Sequence, residues 1–546
     1  MNSFNFANTP QIQGNLPRSK FSMPHNVLFT GNVGELIPFE VTEILPGDNL
    51  KRNTNMLVRL QTLITPIMQD LYLDTWYFFV PSRLVWEHWQ EFCGENKQSA
   101  WAPTTVYEVP QIRLFTDYAD YKNSVADYFG IPFVGSESFT VNAMPFRAYG
   151  LIYNEWFRDE AIQDPVLVPT DDATYSSVSA RSWNGKPYLA GKFHDYFTSC
   201  LPSPQRSVAD VSIPLTSGSL PVVGNGNALG LTNGSSDYGL AIRNNTVQHL
   251  TAFSGNESLP VGSDNVGNIM AGNMAVGVSE NPSLSGLIAQ IGEGVPVATI
   301  NTLRMAFATQ HLYEIDSHGG RYVEILRNHF GVISPDARLQ RPELISYNHF
   351  PLNIAQVVQT SQTGETPQGT TTAFSVTGDS NKSFDKSFVE HGYLIGIACV
   401  RYKNVYQQGL HKMWSRKGRF DYYWPVFANL GNQPVTNKEI FATGTSTDDE
   451  VFGYQEAWAE YRYTPDRVAA EMRSSHPQSL DFWHLADFYD NLPVLSPDWI
   501  TVDDSPVDRV LAVSSSVSNQ LLFDVNLDDT FVRALPVHSI PGLNKL

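Results

Sequence analysis

A short basic and aromatic stretch, HKMWSRKGRF at residues 411–420, contains the side chains best suited to binding chemistry. The candidate site residues in it are Lys412, Trp414, Arg416, Lys417 and Arg419. Lysine and arginine neutralise phosphates and aromatic rings stack on unpaired bases, so this combination predicts contact with single-stranded nucleic acid. A salt-bridge patch between copies of the chain is the alternative interpretation, because the chain carries surplus acid.

Catalytic and metal-binding patterns do not occur in the sequence at the spacing that such chemistry needs. The acidic clusters at 448–450, 503–504 and 528–529 are flanked by Ser, Thr, Pro or Asn, and we expect them to be solvated turns. The glycines at 224–230 have the wrong spacing for a dinucleotide-binding loop, and no P-loop, HExxH or GxSxG motif is present. We therefore predict no catalytic residue, no cofactor, no metal ligand and no enzymatic activity.

Charge and cysteine content exclude several classes of protein. The 36 Lys and Arg residues against 55 Asp and Glu give a net charge of −19, which argues against a chain that grips nucleic acid over its whole surface. Cys93, Cys200 and Cys399 are too far apart for a zinc ribbon, and they indicate folding in a reducing cytosol. Residues 1–17 do not resemble a secretory signal, and no apolar run reaches the ~18 residues of a membrane span.

Aromatic residues are abundant and charged residues are scarce. Aromatics make up 12% of the chain and charged residues 17%, against a typical ~25% charged. This balance is typical of a chain that hides much of its surface, in one core or in contacts with other chains. Blocks such as 76–79 and 422–424 are expected to pack in the core or between subunits. Aromatic rings can also bind sugars by stacking on them. A carbohydrate-binding or carbohydrate-cleaving protein is therefore the second functional hypothesis.

Apolar patterning predicts a mainly β chain with a few helices. The clearest strand candidates are residues 35–45, 55–64, 71–80 and 393–402. Further strand candidates are residues 420–427, 451–463 and 507–513, and helical spacing occurs at 84–92, 300–313 and 321–330. Strand candidates thus lie at both ends of the chain with long connections between them, which favours a β-sandwich with enlarged loops.

Composition divides the chain into four parts. The expected parts are an N-terminal arm at 1–32, a first part of the sandwich at 33–209, a surface insertion at 210–294, and a second part at 295–546 with a polar loop at 360–387. Residues 207–303 contain 14 glycines but only two aromatic residues, Tyr238 and Phe253. A segment with so few large side chains cannot build a dense core alone, so we expect it to pack on copies of itself.

Several blocks of the sequence resemble the major capsid protein of gokushoviruses, small tailless single-stranded DNA phages of the microvirus family. The blocks are FFVPSRLVWEHWQEFCGE (78–95), NEWFRDEAIQD (154–164), HDYFTSCLPSPQ (194–205), GGRYVEILRNHFGVISPDARLQRPELI (319–345), MWSRKGRFDYYWP (413–425), EVFGYQEAWAEYRY (450–463) and LPVHSIPGL (535–543). They occur in the family's order over almost the whole chain, and the similarity is weakest at 207–303 and 360–387.

The resemblance implies a fold and a role in a virus particle. It implies an eight-stranded antiparallel jelly roll with long inserted loops, which assembles with itself into a T=1 icosahedral shell around circular single-stranded DNA. It also implies that the insertion at 210–294 forms spikes at the three-fold axes that meet a host-surface receptor. A small basic viral protein and other minor virion proteins are the remaining implied partners. The expected location is the virion, assembled in the cytoplasm of a bacterial host.

Overall fold

The structure is a computed structural model that describes residues 18–97, 105–136, 138–206, 300–358, 360 and 371–538, and the backbone of five short strands between residues 222 and 289. Its contacts divide the chain into two compact units. The first unit combines Met1–Arg206 with Tyr313–Leu546, and the second is Ser207–Leu312. The first unit contains the candidate site.

Nine strands of the first unit form two antiparallel sheets. The strands are β1 (Ser19–Ser22), β2 (His25–Gly31), β3 (Ile37–Ile44), β4 (Asn49–Leu60), β5 (Leu71–Pro81), β6 (Glu343–Pro351), β7 (Thr377–Ser387), β8 (Gly392–Tyr402) and β9 (Leu521–Arg533). In one sheet the order is β7-β4-β9, and β1 and β2 pair with successive parts of β9 along its other edge. In the other sheet the order is β6-β5-β8-β3.

The main hydrophobic core lies between these sheets. Alternate residues of β4, such as Leu50, Met56 and Val58, are buried in it, as the period of two along a strand requires. From the opposite sheet, Phe39 and Leu394 belong to the same cluster. The two sheets therefore form a sandwich that shares one apolar interior.

A second hydrophobic cluster covers the outer face of the sheet that contains β8. Ile395 and Ile397 of β8 pack there with Trp86 and with the helix Met144–Ile152. Leu394, on the opposite face of β8, belongs to the core between the sheets. Strand β8 is thus buried on both faces, which explains why its sequence is a nearly continuous apolar run.

The remaining elements of the first unit are short. Its other strands are Gln111–Arg113, Thr140–Asn142, Tyr175–Ser176, Ile354–Val358, Thr371–Ser375, Val405–Tyr406, Asn432–Thr436, Val451–Glu456 and Asp466–Arg467. Its α-helices are Ser82–Val85, Trp89–Phe92, Tyr118–Tyr121, Val125–Tyr128, Met144–Ile152, Tyr322–Phe330, Asn437–Ile440 and Ser505–Val510, and Tyr153–Phe157 is a π-helical turn. Single 3₁₀ turns occur at Lys412–Ser415, Arg419–Asp421, Pro425–Phe427, Ser446–Asp449, Ala459–Tyr461, Ala470–Met472 and Asp481–Trp483.

The second unit contains short antiparallel strand pairs and a helix. Leu287–Ala289 pairs with Val222–Gly224, and Gly230–Thr232 pairs with both Asp237–Gly239 and Gly277–Val278. Residues 300–312 of the helix Ile300–Asp316 also belong to this unit. Apart from these strand backbones, the insertion expected at 210–294 lies outside the described residues.

The prediction of a mainly β chain with few helices is confirmed. Of the arm expected at 1–32, residues 1–17 lie outside the described residues, and the rest contains β1 and β2. Of the polar loop expected at 360–387, residues 361–370 lie outside them, and the remainder contains the strand Thr371–Ser375 and β7.

Two predicted strands are wrong. Residues 420–427 form 3₁₀ turns at Arg419–Asp421 and Pro425–Phe427, because Pro425 has no N–H to donate to a sheet. Residues 507–513 begin inside the helix Ser505–Val510, where Pro506 in the first turn favours helical backbone angles. The predicted helix at 84–92 is two separate turns, Ser82–Val85 and Trp89–Phe92.

Candidate nucleic-acid interface

The candidate residues lie on a connection between the strands Val405–Tyr406 and Asn432–Thr436. We call residues 412–419 the basic turn. Its backbone is organised by short polar contacts: His411 Nδ1 accepts a hydrogen bond from the Met413 N–H at 3.1 Å, and Asp421 Oδ2 accepts from the N–H groups of Lys417 and Gly418, each at 2.7 Å. The hydrogen bonds from Gly418 and Lys417 hold the pKa of the Asp421 carboxyl below its usual value.

Arg416 is turned into the protein. Its Nη2 donates to Glu460 Oε1 at 2.9 Å, and only 9% and 4% of the two side chains are exposed. Its guanidinium also lies 4.5 Å from the centre of the Tyr461 ring, within the range of a cation–π interaction. The charge of Arg416 is therefore neutralised within the chain, and its role is to anchor the basic turn.

The other four candidates lie nearer to solvent. Lys412 Nζ is 3.3 Å from the Pro434 carbonyl oxygen, to which it donates a hydrogen bond. Trp414 is 67% exposed, and Lys417 and Arg419 are exposed as well. The structure thus leaves one large aromatic face and two cations accessible on the basic turn, which is the combination that nucleic-acid stacking and phosphate neutralisation require.

A cavity of about 240 Å³ borders the basic turn. Trp414 and Lys412 form part of its wall, and the cations Arg467 and Arg473 form another part. Three carboxylates line it as well, and each has a partner: Glu439 accepts a hydrogen bond from the Tyr196 hydroxyl at 2.8 Å, Glu460 pairs with Arg416, and Asp466 pairs with Lys403. An aromatic wall with several cations around it can hold a base and its phosphate. Arg467 and Arg473 were missed by sequence reasoning because each is an isolated arginine about 50 residues further along the chain.

The basic turn continues into residues 420–430, which we call the aromatic segment. The aromatic segment has a large exposed apolar surface formed by Phe420, Tyr422, Tyr423, Trp424, Val426 and Leu430. The sequence predicted that 422–424 would pack in a core or between subunits, and within this chain these rings are not in a core. The sequence signal for this exposed surface was the stretch FDYYWPVFANL, which has many aromatic residues and one charged residue.

The acidic clusters differ from one another in the structure. Asp448 lies in an exposed turn and accepts hydrogen bonds from the Thr443 hydroxyl and N–H and from the Gly444 N–H, which hold the pKa of its carboxyl below the usual value. The prediction of a solvated turn at 528–529 is wrong, because Asp529 is buried in β9 and pairs with Arg52. A charge pattern does not show which face of a strand an aspartate occupies.

The described residues contain neither a cluster of metal ligands nor a helix that could span a membrane. Within residues 18–97, 105–136, 138–206, 300–358, 360 and 371–538, no three His, Cys, Asp or Glu side chains are grouped as metal ligands would be. Over the same part of the chain, the helices are too short or too polar to cross a bilayer.

Comparison with known proteins shows the family. The family profile described as capsid protein (F protein) matches residues 10–543. Capsid protein VP1 of Spiroplasma virus 4 is 40% identical over 550 residues, which cover 98% of this chain and 97% of that protein. Capsid protein VP1 of Bdellovibrio phage phiMH2K is 39% identical over 99% of this chain and 98% of that protein.

A third relative, capsid protein VP1 of Chlamydia phage 1, is 37% identical and covers 97% of this chain and 96% of its own length. An alignment over this much of the chain includes the strands of both sheets and the connection that contains the basic turn. The resemblance to gokushovirus capsid proteins is confirmed, and the chain belongs to the capsid protein (F protein) family of the microviruses.

Proposed function

We propose that this chain is the major structural subunit of a T=1 icosahedral shell that encloses circular single-stranded DNA. The observation that carries the proposal is the near-complete match to capsid proteins, together with a large apolar surface that the chain leaves uncovered. Burial of such surface between copies stabilises a shell by ~25 cal/mol per Å², reduced by the entropy cost of docking. Many symmetric contacts of modest strength then close the shell.

The sandwich is proposed to be the jelly roll of this shell. Strands β1 and β2 both pair with β9 and are separated by Met23 and Pro24, so they count as one strand interrupted by a proline. The two sheets then have four strands each, with every pairing antiparallel. Eight strands in two such sheets are what the jelly-roll assignment requires.

The basic turn is proposed to contact the packaged DNA through Lys412, Trp414, Lys417 and Arg419, with Arg416 as a positioning residue. The exposed ring of Trp414 and the two exposed cations support this assignment. The surplus acid elsewhere is consistent with a small basic viral protein that takes part in neutralising the genome.

The insertion at 210–294 is proposed to form spikes at the three-fold axes that bind a host-surface receptor. Its composition supports an exposed position, since it is rich in Gly, Asn and Ser and poor in large aromatic side chains. The particle is proposed to assemble in the cytoplasm of a bacterial host, where the three unpaired cysteines are stable.

The mass of the assembled material tests the shell directly. A T=1 particle contains sixty copies of this 60.9-kDa chain, so the protein shell should have a mass of about 3.7 MDa. The measurement is native mass spectrometry or mass photometry of the expressed chain, alone and with the other virion proteins. A chain that stays monomeric under all these conditions would contradict the proposal.

A charge-removal experiment tests the DNA contact. Lys417→Ala combined with Arg419→Ala should lower the DNA content of particles and flatten its salt dependence. The matched control is Lys51→Ala combined with Arg59→Ala, two exposed cations on β4, which should leave DNA content unchanged. Equal DNA content in both variants would reject the assignment to the basic turn.

A further inference from the structure

The aromatic segment, residues 420–430, exposes more apolar surface than the basic turn beside it. Val426 is 89% exposed and Phe420 is 69% exposed, and Tyr422, Tyr423 and Trp424 are each between 41% and 52% exposed. Isolated exposed apolar side chains are normal on a protein surface, but a contiguous group of this size marks an interaction site.

This surface is held in a defined conformation by contacts with the rest of the fold. The Trp424 Nε1–H donates to the Arg419 carbonyl at 3.1 Å, and the Trp458 Nε1–H donates to the Phe427 carbonyl at 2.8 Å. The Tyr423 ring meets the Trp458 ring edge-on, with centroids 5.5 Å apart. A surface ordered before binding loses less conformational entropy when a partner covers it.

The charge of the aromatic segment distinguishes between a nucleic acid and a protein as its partner. Between residues 420 and 430 the only charged side chain is Asp421, and its carboxylate accepts hydrogen bonds from the backbone of the basic turn. Surfaces that bind single strands combine aromatic rings with cations along the phosphate path, and this segment has no lysine or arginine of its own. The arginines that lie over its Tyr422 and Trp424 rings, Arg416 and Arg419, belong to the basic turn at one end of the segment. Depletion of charge around Tyr, Trp and Phe is instead the composition of a protein–protein interface core.

The size of this surface matches a large part of a stable interface. An aromatic side chain buries ~150–250 Å² when it is covered completely. At the observed exposures, the four exposed rings contribute on the order of 400 Å² before Val426 and Leu430 are added. Each partner in a standard interface buries ~800 Å², so this segment supplies about half of one side.

We infer that the aromatic segment is a contact surface for a second copy of this chain. The inference rests on the proposed function, because a shell subunit meets its own copies over many surfaces. The new element is the surface that takes part. The centre of the contact between copies is formed by Phe420, Tyr422, Tyr423, Trp424, Val426 and Leu430. The cations of the basic turn lie at the border of this contact. Packaged DNA as the occupant of the same surface is the competing outcome.

Two arginine substitutions at exposed positions test this contact without disturbing the fold. Val426→Arg combined with Leu430→Arg places two charges on a surface that a second copy must desolvate. The control is Leu167→Arg combined with Val389→Arg, which makes the same change at two separate positions that are also highly exposed. Melting temperature by circular dichroism, particle mass by mass photometry and DNA content of the particles are measured for all three proteins.

We expect the Val426→Arg/Leu430→Arg variant to melt within about 2 °C of the wild type, because substitutions at exposed positions change stability little. We expect it to reduce the yield of particles by about tenfold or more, because each contact would bury unpaired charges. The control should assemble normally. If the variant assembles as well as the wild type, the inferred contact is wrong and the proposed function is unaffected. If it assembles normally but its particles lose DNA, the surface binds nucleic acid instead. A wild-type chain that never assembles would reject the proposed function and the contact together.

Discussion

Strand β8 and the aromatic segment are both rich in apolar residues, but they lie in opposite environments. Both are short, apolar and nearly free of charge, as YLIGIACVRY at 393–402 and FDYYWPVFANL at 420–430 show. In β8, Leu394 and Ile395 point into two different hydrophobic clusters, and both are fully buried. The aromatic segment forms no strand and leaves most of its large side chains exposed. A high content of apolar residues therefore indicates that a segment is buried in the final structure. It does not indicate whether the same chain or another molecule buries it.

Backbone hydrogen bonding to neighbouring strands explains why β8 is buried and the aromatic segment is exposed. Strand β8 pairs with β5 along its whole length and with β3 from Gly392 to Ala398, so these backbone groups are satisfied while both faces of the strand are buried. Pro425 interrupts the aromatic segment, and Asp421 folds its beginning into a turn. The backbone of the segment therefore stays at the surface, and its rings stay there with it.

The largest expected effect compares one aspartate in each region. Ile397→Asp puts an unpaired charge where no side-chain surface is exposed, and we expect a loss of more than ~5 kcal/mol of stability and no soluble folded chain. Val426→Asp should change stability by less than ~0.5 kcal/mol, because Val426 is almost completely exposed. Soluble yield and denaturant unfolding measure both effects, and an equal loss in the two variants would show that the aromatic segment is part of the core.

A smaller effect is expected from the ion pair that anchors the basic turn. Arg416→Ala leaves the carboxylate of Glu460 buried without a partner, which should cost about 3 kcal/mol of unfolding free energy. Arg419→Ala is the matched control, since Arg419 is exposed and its loss should cost less than ~0.5 kcal/mol.

Replacement of both partners separates the charge from the packing. Arg416→Met combined with Glu460→Met should recover most of the lost stability, because neither charge of this pair then remains buried without its partner. If Arg416→Ala melts like the wild type, Glu460 is not buried against Arg416 and the anchor is misassigned.

Much of the fold followed from local patterns, and its assembly into sheets did not. The apolar run in β8 identified that strand to within one residue of its observed start, whereas β4 begins six residues before the predicted segment 55–64 and ends four residues before the end of that segment. However, β5 pairs with β6 and β8, which lie more than 200 residues further along the chain, and no local pattern specifies partners at that distance. The wrong strands at 420–427 and 507–513 each contain or follow a proline that changes the local backbone.

The sequence predicted where the candidate site lies in the chain. It did not predict which of the site's cations are exposed and which are already paired. Composition alone identified Lys412, Arg416, Lys417 and Arg419 as one cluster. The partner of Arg416, Glu460, lies 44 residues away along the chain, so the sequence did not show that this arginine is already neutralised. The exposure of Trp414 likewise depends on tertiary packing.

Thiol reactivity tests the burial of β8 without any substitution. Cys399 lies in β8 and Cys200 in a third hydrophobic cluster, and burial raises the pKa of both thiols well above the ordinary value. Cys93 is exposed. With a thiol reagent at pH 8 we expect one of the three cysteines to react rapidly in the native chain, and none in Cys93→Ser. Rapid reaction of Cys399 in the folded protein would show that β8 opens.

The smallest expected effect is on the pH response of the basic turn. Because the folded pKa of Asp421 is depressed, its contribution to the turn is complete above the unfolded value of ~3.9 and is lost as the pH falls through the lower folded value. Carbon-13 titration of the aspartate carboxyls, with Asp421→Asn to assign the signal, should give a midpoint below ~3.9 for Asp421. A midpoint at the ordinary value would mean that the Lys417 and Gly418 hydrogen bonds do not hold the turn.

A cryo-EM reconstruction of assembled particles would show directly which molecule covers the aromatic segment. We expect an icosahedral T=1 shell in which Phe420, Trp424 and Val426 are buried against a neighbouring copy of the chain. A shell in which these side chains face open solvent, or a chain that forms no shell at all, would contradict this expectation.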